Sequence, residues 1–153
     1  MRFTTREEIE APIDHVFGRL SDFAHLERMI MRRGVEVSRD NPGEPVEVGI
    51  RWTIGFKFRG KPRSAEIVLA KIQPPIGHLI TFESGGIGGE SQIELTPLSP
   101  TRTRLMVRVE LTPQTLAARL LLQSIKLAKT NLNQRFKTRI ADLAEDIEMD
   151  YSS

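Results

Sequence analysis

The sequence predicts an α+β fold: a strongly curved antiparallel sheet of seven strands around a long C-terminal helix, with two short helices after the first strand. Three observations carry this. The stretch EIEAPIDHVFGRLSDFAHLERM, residues 8–29, starts in strand-like alternation and changes period at Ala11-Pro12. Some eighty residues of period-two segments follow. A second change at Thr112-Pro113 opens a run at helical spacing with no glycine or proline up to Met149.

The elements follow in order. Residues 2–10 read as a first strand with one very wet face. Pro12 has the fixed φ of a helix start, and Val16, Phe17 and Leu20 give the first short helix its apolar stripe. Ser21-Asp22 caps a second, whose stripe is Phe23, Leu26, Met29 and Ile30. Each is close to two turns, so both must pack on something to persist.

VEVS, 35–38, alternates, and DNPGEP, 40–45, is a turn. In VGIRWTIGFKFRGK, 48–61, Ile50, Trp52, Ile54, Phe56 and Phe58 make a dry face opposite a basic one. SAEIVLAKI, 64–72, has apolar residues at both parities, which a bulge or two-sided burial explains. HLITFES, 78–84, SQIELT, 91–96, and TRLMVRVEL, 103–111, complete the strands. GGIGG, 85–89, between two of them, reads as a turn or as a mobile hairpin at a cavity mouth. It lacks the Lys-Ser/Thr end and following helix of a phosphate loop.

Thr112 is the expected cap and Pro113 the first residue of the last helix, over 113–148. About 36 residues would extend roughly 54 Å. Asn131 and Asn133, weak helix formers, mark the expected kink.

At 153 residues the chain is expected to be one domain, 1–153, with room for a substantial core. Its composition is 39% hydrophobic and 27% charged, which is ordinary soluble usage. Net charge is +2 and the pI about 9.2, without the Lys/Arg excess of a nucleic-acid binder, so no nucleic-acid partner is expected. With no cysteine there is no disulfide, thiol nucleophile or Cys-ligated metal. Glu7 and Glu8 fall where a signal peptide needs its apolar stretch, and a cytoplasmic location is expected. LAARLLLQSIKLA, 116–128, is too short and too polar to span a bilayer, though not to lie on one.

The order of elements, and several local signatures, resemble the superfamily of START-related lipid-transfer domains, birch-pollen-allergen-like proteins and polyketide cyclases. EAPIDHVFGRLSDFAHL, 10–26, is similar to its strand-end Ala-Pro, Val-aromatic pair and Ser-Asp opening of the second helix. VGIRW, 48–52, resembles its glycine-led third strand, and PPIGHLITFES, 74–84, its proline-marked later strand. The likeness runs from about residue 3 to 148 and implies the helix-grip fold, with an apolar cavity between sheet and helix. Members include carriers, cyclases, chaperone-associated domains and quinone-binding proteins, so the activity stays open.

The resemblance implies that Trp52, Ile54, Phe56, Phe82, Leu105, Val107 and Val109 turn inward and that Leu121, Ile125 and Phe136 face them from the helix. Each can fill the core or line the cavity. Trp52 combines a broad apolar face with one donor. His78 shares parity with Ile80 and Phe82 and is a candidate rim group. The spacings of His15, His25 and His78 match no compact ligand motif, so no metal is expected, nor any cofactor. Glu83 would suit enolisation only if buried, Tyr151 is expected in a frayed tail, and no hydroxyl has a neighbouring base pattern for a triad.

The leading expectation is binding or carriage of a small hydrophobic, lipid-, quinone- or polyketide-like molecule. The alternatives are a cyclase, dehydratase or isomerase using polar groups in the same cavity, and a protein-interaction module. Arg51, Lys57, Arg59, Lys61, Arg63, Arg102, Arg104 and Arg108 form a basic, mainly outward set. It reads as a solvated face, or one for transient contact with an anionic membrane surface or an acidic protein.

Overall fold

A computed structural model describes residues 1–43 and 45–153. Glu44, inside the expected 40–45 turn, lies outside the described residues. The elements are β1 (Arg2–Ile9), α1 (Ile13–Leu20), α2 (Phe23–Met31), β2 (Glu36–Arg39), β3 (Arg51–Phe58), β4 (Lys61–Gln73), β5 (Gly77–Ser84), β6 (Ile87–Ser99), β7 (Arg102–Pro113), α3 (Leu116–Lys126) and α4 (Lys129–Ser152).

Among the described residues the seven strands form one antiparallel sheet in the order β1-β7-β6-β5-β4-β3-β2. It is the expected helix-grip arrangement. Cross-strand register places Trp52, Ile67, Phe82 and Gly89 in one inward-facing row. In β4 the register shifts between Leu69 and Lys71, so a bulge accounts for that strand's mixed parity.

The helices divide the sheet's inner face. α4 packs across β1 and β7, where Ile9, Leu95, Leu105, Val107, Ala144 and Ile147 form a solid core with Val16 and Leu20 of α1. α2 stands over the β2–β5 half, its first turn capped by the Asp22 carboxylate, which accepts from the His25 amide. One half of the grip is therefore filled, and the other is roofed by a two-turn helix.

Four expectations are corrected. Pro113 ends β7 opposite Ile87, and the cap of the next helix is Thr115, whose hydroxyl accepts from the Ala118 amide at 3.0 Å. The last helix breaks at Leu127-Ala128, not at the asparagines: the Leu127 and Ala128 amides bond three residues back, to Ser124 and Ile125. The break lets α3 bury Ala118 and Leu122 while α4 aligns Ala144 and Ile147 with the core. Tyr151 belongs to α4, which continues to Ser152, and its ring lies 5.0 Å from that of His15. Lastly, only Gly85 and Gly86 of GGIGG form the turn. Both take positive φ, and Ser84 pairs Ile87 directly across it, a tight two-residue hairpin and no long loop.

Candidate functional site

The cavity forms where α2 faces the sheet. Helical spacing brings Phe23, Leu26, Glu27 and Ile30 onto one side of α2, and strand parity brings Trp52, Ile54, Ile67, His78, Ile80 and Ile93 up to meet them. Val37 of β2 contributes to the wall. The space is about 180 Å³ and its lining is almost entirely carbon. Larger clefts, of about 700, 560, 390 and 290 Å³, lie among residues such as Glu36, Lys57, Lys71, Gln92, Glu110 and Glu66. Those are surface grooves of mixed polar and apolar lining, and the chemistry of a hydrophobic site belongs to the smaller, carbon-lined space.

Of the residues singled out from the sequence, Trp52, Ile54 and His78 line this cavity. Leu105 and Val107 are buried in the solid core, with Val109 and Phe136 packed against it. Phe56 borders the outer groove beside Gly55 and Lys57. Phe82 is partly buried over Gly89. Leu121 and Ile125 are partly buried on α3. The expected cavity between Trp52, Phe56, Phe82, Val107 and Ile125 is thus displaced toward β2 and α2, because the core under α4 fills the β1–β7 half of the grip.

His78 is 8% exposed. Its Nε2 lies 3.2 Å from the Leu20 carbonyl at the end of α1, one of the carbonyls a helix leaves unpaired. A carbonyl only accepts, so Nε2 carries the proton and donates. Burial pushes the imidazole below its ordinary value of 6.5, against the opposing pull of the Leu20 carbonyl. The ring is therefore neutral near pH 7, and Nδ1 presents a bare lone pair. That nitrogen is buried and has no partner among the described residues. Phe23 braces the site, its ring 5.4 Å from His78 and 5.5 Å from Trp52.

The second polar feature is Glu27, which sequence reasoning did not single out. Its Oε1 accepts from Trp52 Nε1 at 2.8 Å and from Arg39 Nε at 2.7 Å, with Arg39 Nη2 at 2.6 Å. The two side chains are only 20% and 13% exposed. One carboxylate thus fixes the tryptophan's orientation and ties α2 to β2 and β3. The signal was available: a glutamate amid Phe23, Leu26 and Ile30, on an otherwise apolar helical stripe.

Other groups do not converge on this space. Glu83 is exposed. His15 meets Asp150 at 3.3 Å, and His25 lies 3.4 Å from Arg19. Among the described residues, no group of three His, Asp or Glu side chains is arranged to hold a metal.

Solved structures share this architecture. A protein from Chromobacterium violaceum matches with a TM-score of 0.65 at 17% identity, covering 97% of this chain and 98% of its own. A protein from Thermus thermophilus matches with a TM-score of 0.65 at 16% identity, over 100% of both chains. The Zhui aromatase/cyclase from Streptomyces sp. R1128 matches with a TM-score of 0.68 at 11% identity, covering 97% of this chain and 93% of its own. At such identities the likeness is one of fold. No curated protein matches in sequence. The family model described as polyketide cyclase / dehydrase and lipid transport matches residues 1–148. With the helix-grip sheet and its apolar cavity, that match identifies the chain as a member of the polyketide cyclase / dehydrase and lipid transport family.

Proposed function

We propose that the protein binds a small, mainly apolar molecule carrying one hydroxyl, of roughly the size of a substituted phenol, between α2 and the β3–β5 strands. The observation that carries this reading is a carbon-lined cavity with His78 in its wall, the buried Nδ1 of that histidine having no partner among the described residues. An acceptor left unsatisfied there costs about 1–3 kcal/mol, and a ligand hydroxyl would recover it. A quinone carbonyl offers only lone pairs and would meet another one. Size points the same way. A dry cavity of about 150 Å³ holds a benzene ring, so about 180 Å³ suits a single ring or the end of a longer molecule.

Binding is favoured over turnover because acid–base chemistry needs two converging polar groups, and all but one of the polar atoms named at the wall are already engaged. His78 holds Leu20 through Nε2, and Glu27 is held by Arg39 and Trp52. The test compares a phenol with its methyl ether, matched in ring substituents, by titration against Trp52 emission and by calorimetry. The phenol should lead the ether, and the lead should shrink by about 2- to 12-fold in His78→Leu, the worth of one hydrogen bond. If both compounds bind and the ratio is unmoved by the substitution, the hydroxyl contact is wrong. If neither binds, the cavity reading itself falls.

A further inference from the structure

α3 has two apolar faces. At about 100° per residue, Ala118 and Leu122 point one way and are buried. Leu116, Leu120 and Leu127 fall within an arc of about 40° on the opposite side, and they are 72%, 58% and 92% exposed. Three neighbouring leucines held in water on one ridge are a cost that packing within the chain does not relieve.

Charge is the second observation. From Leu111 to Ala141 there is no acidic residue, while Arg119, Lys126, Lys129, Arg135, Lys137 and Arg139 are all present and exposed. The other 16 of the 22 basic residues face all 20 acidic ones elsewhere in the chain. The excess positive charge is therefore concentrated on the segment that exposes the leucines. Arg119 and Lys126 flank the ridge on one side. On the other, Ser124 holds the Arg59 guanidinium at 2.8 Å, so a cation from the β3–β4 hairpin stands there too. At the β1–β7 edge of the sheet, by contrast, Arg102 pairs with Glu8 and Glu10, and Arg104 with Glu8.

We infer that α3 is a docking surface for an anionic phospholipid bilayer, with Leu116, Leu120 and Leu127 entering the acyl boundary and the flanking cations resting on lipid phosphates. A short helix with leucines on one side and Lys/Arg beside them is what lies in a membrane interface plane. Among the described residues no helix is long and apolar enough to cross a membrane. The charge distribution favours a bilayer over a second copy of the chain, because two copies of this segment would bring like charges together.

The experiment is co-sedimentation of the full chain with vesicles of phosphatidylcholine alone or with about one-third phosphatidylglycerol. The protein should pellet with the anionic vesicles and much less with the neutral ones, and added salt should release it. Leu116→Ser/Leu120→Ser/Leu127→Ser should weaken binding at least about 10-fold. Arg119→Gln and Lys126→Gln should each cost about five-fold. All five positions are exposed, so circular dichroism should show both sets folded. Equal pelleting with both vesicle types, or undiminished binding by the triple variant, overturns the proposal. So does a dimer in solution that the triple variant abolishes while vesicles capture neither protein, which would assign the ridge to a second copy.

Discussion

Replacing Glu27 with leucine tests the polar contact that positions the cavity's tryptophan. The substitution keeps a helix-favouring residue on α2 and completes its apolar stripe, so local propensity and burial would make it neutral or stabilising. Tertiary contacts predict the reverse. The Arg39 side chain, 13% exposed, would lose its carboxylate, and Trp52 Nε1 its acceptor at 2.8 Å. Hydrogen bonds to a charged group contribute about 1.5–3 kcal/mol. Residual access of water to the pair reduces that, and the added apolar contact offsets a little more. The net expectation is a loss of about 2 kcal/mol, or roughly 4–8 °C in Tm for a chain of this size. Urea denaturation followed by far-ultraviolet circular dichroism measures it without relying on Trp52, whose emission should itself shift. The double variant Glu27→Leu/Arg39→Met should recover most of the loss, since it leaves no partly buried charge unpaired. A single variant as stable as wild type would refute the reasoning, because Arg39 and Trp52 would then be satisfied by water.

Further predictions concern the wall and the core. The folded-state pKa of His78 is lowered by burial below its unfolded value of 6.5, so between the two the unfolded chain binds more protons and stability rises with pH. His78→Gln keeps a donor for Leu20 without titrating. Wild type should lose up to about 1.4 kcal/mol more than this variant per pH unit below 6.5, and identical denaturation profiles from pH 7.5 to 5 would count against it. Leu105, fully buried under α4, should cost about 2–5 kcal/mol as Leu105→Ala without changing phenol affinity, which calorimetry would separate. In Gly77→Ala the new Cβ would fall on the Ile93 carbonyl, at a φ of 155°. That is a backbone clash, and the variant should unfold at clearly lower urea, whereas Gly60→Ala, with open space around it, should show only the milder strain of its positive φ.

The order and type of the elements were legible in the sequence, because each depends on periodicity within a few residues. Alternation in 52–58 and 103–111 specified which side chains share a face. Pro12 and Asp22 marked the two short helices, and the doubled parity of 64–72 allowed a bulge or two-sided burial, of which the bulge beside Leu69 forms. The last helix shows the limit. Nothing local distinguishes Leu127 from its neighbours, and the break there lets α3 bury Ala118 and Leu122 while α4 buries Ala144 and Ile147. The same limit governs the site. Inward parity is identical for Trp52 and Val107, yet one lines a cavity and the other a filled core, since α4 lies across β7 and stops short of β3. Glu27 and Arg39 are twelve residues apart, with a helix end, a turn and a strand start between them. Sequence determines which faces are dry; how far each helix reaches across the sheet, and so which dry face stays open, is decided only when all the elements pack at once.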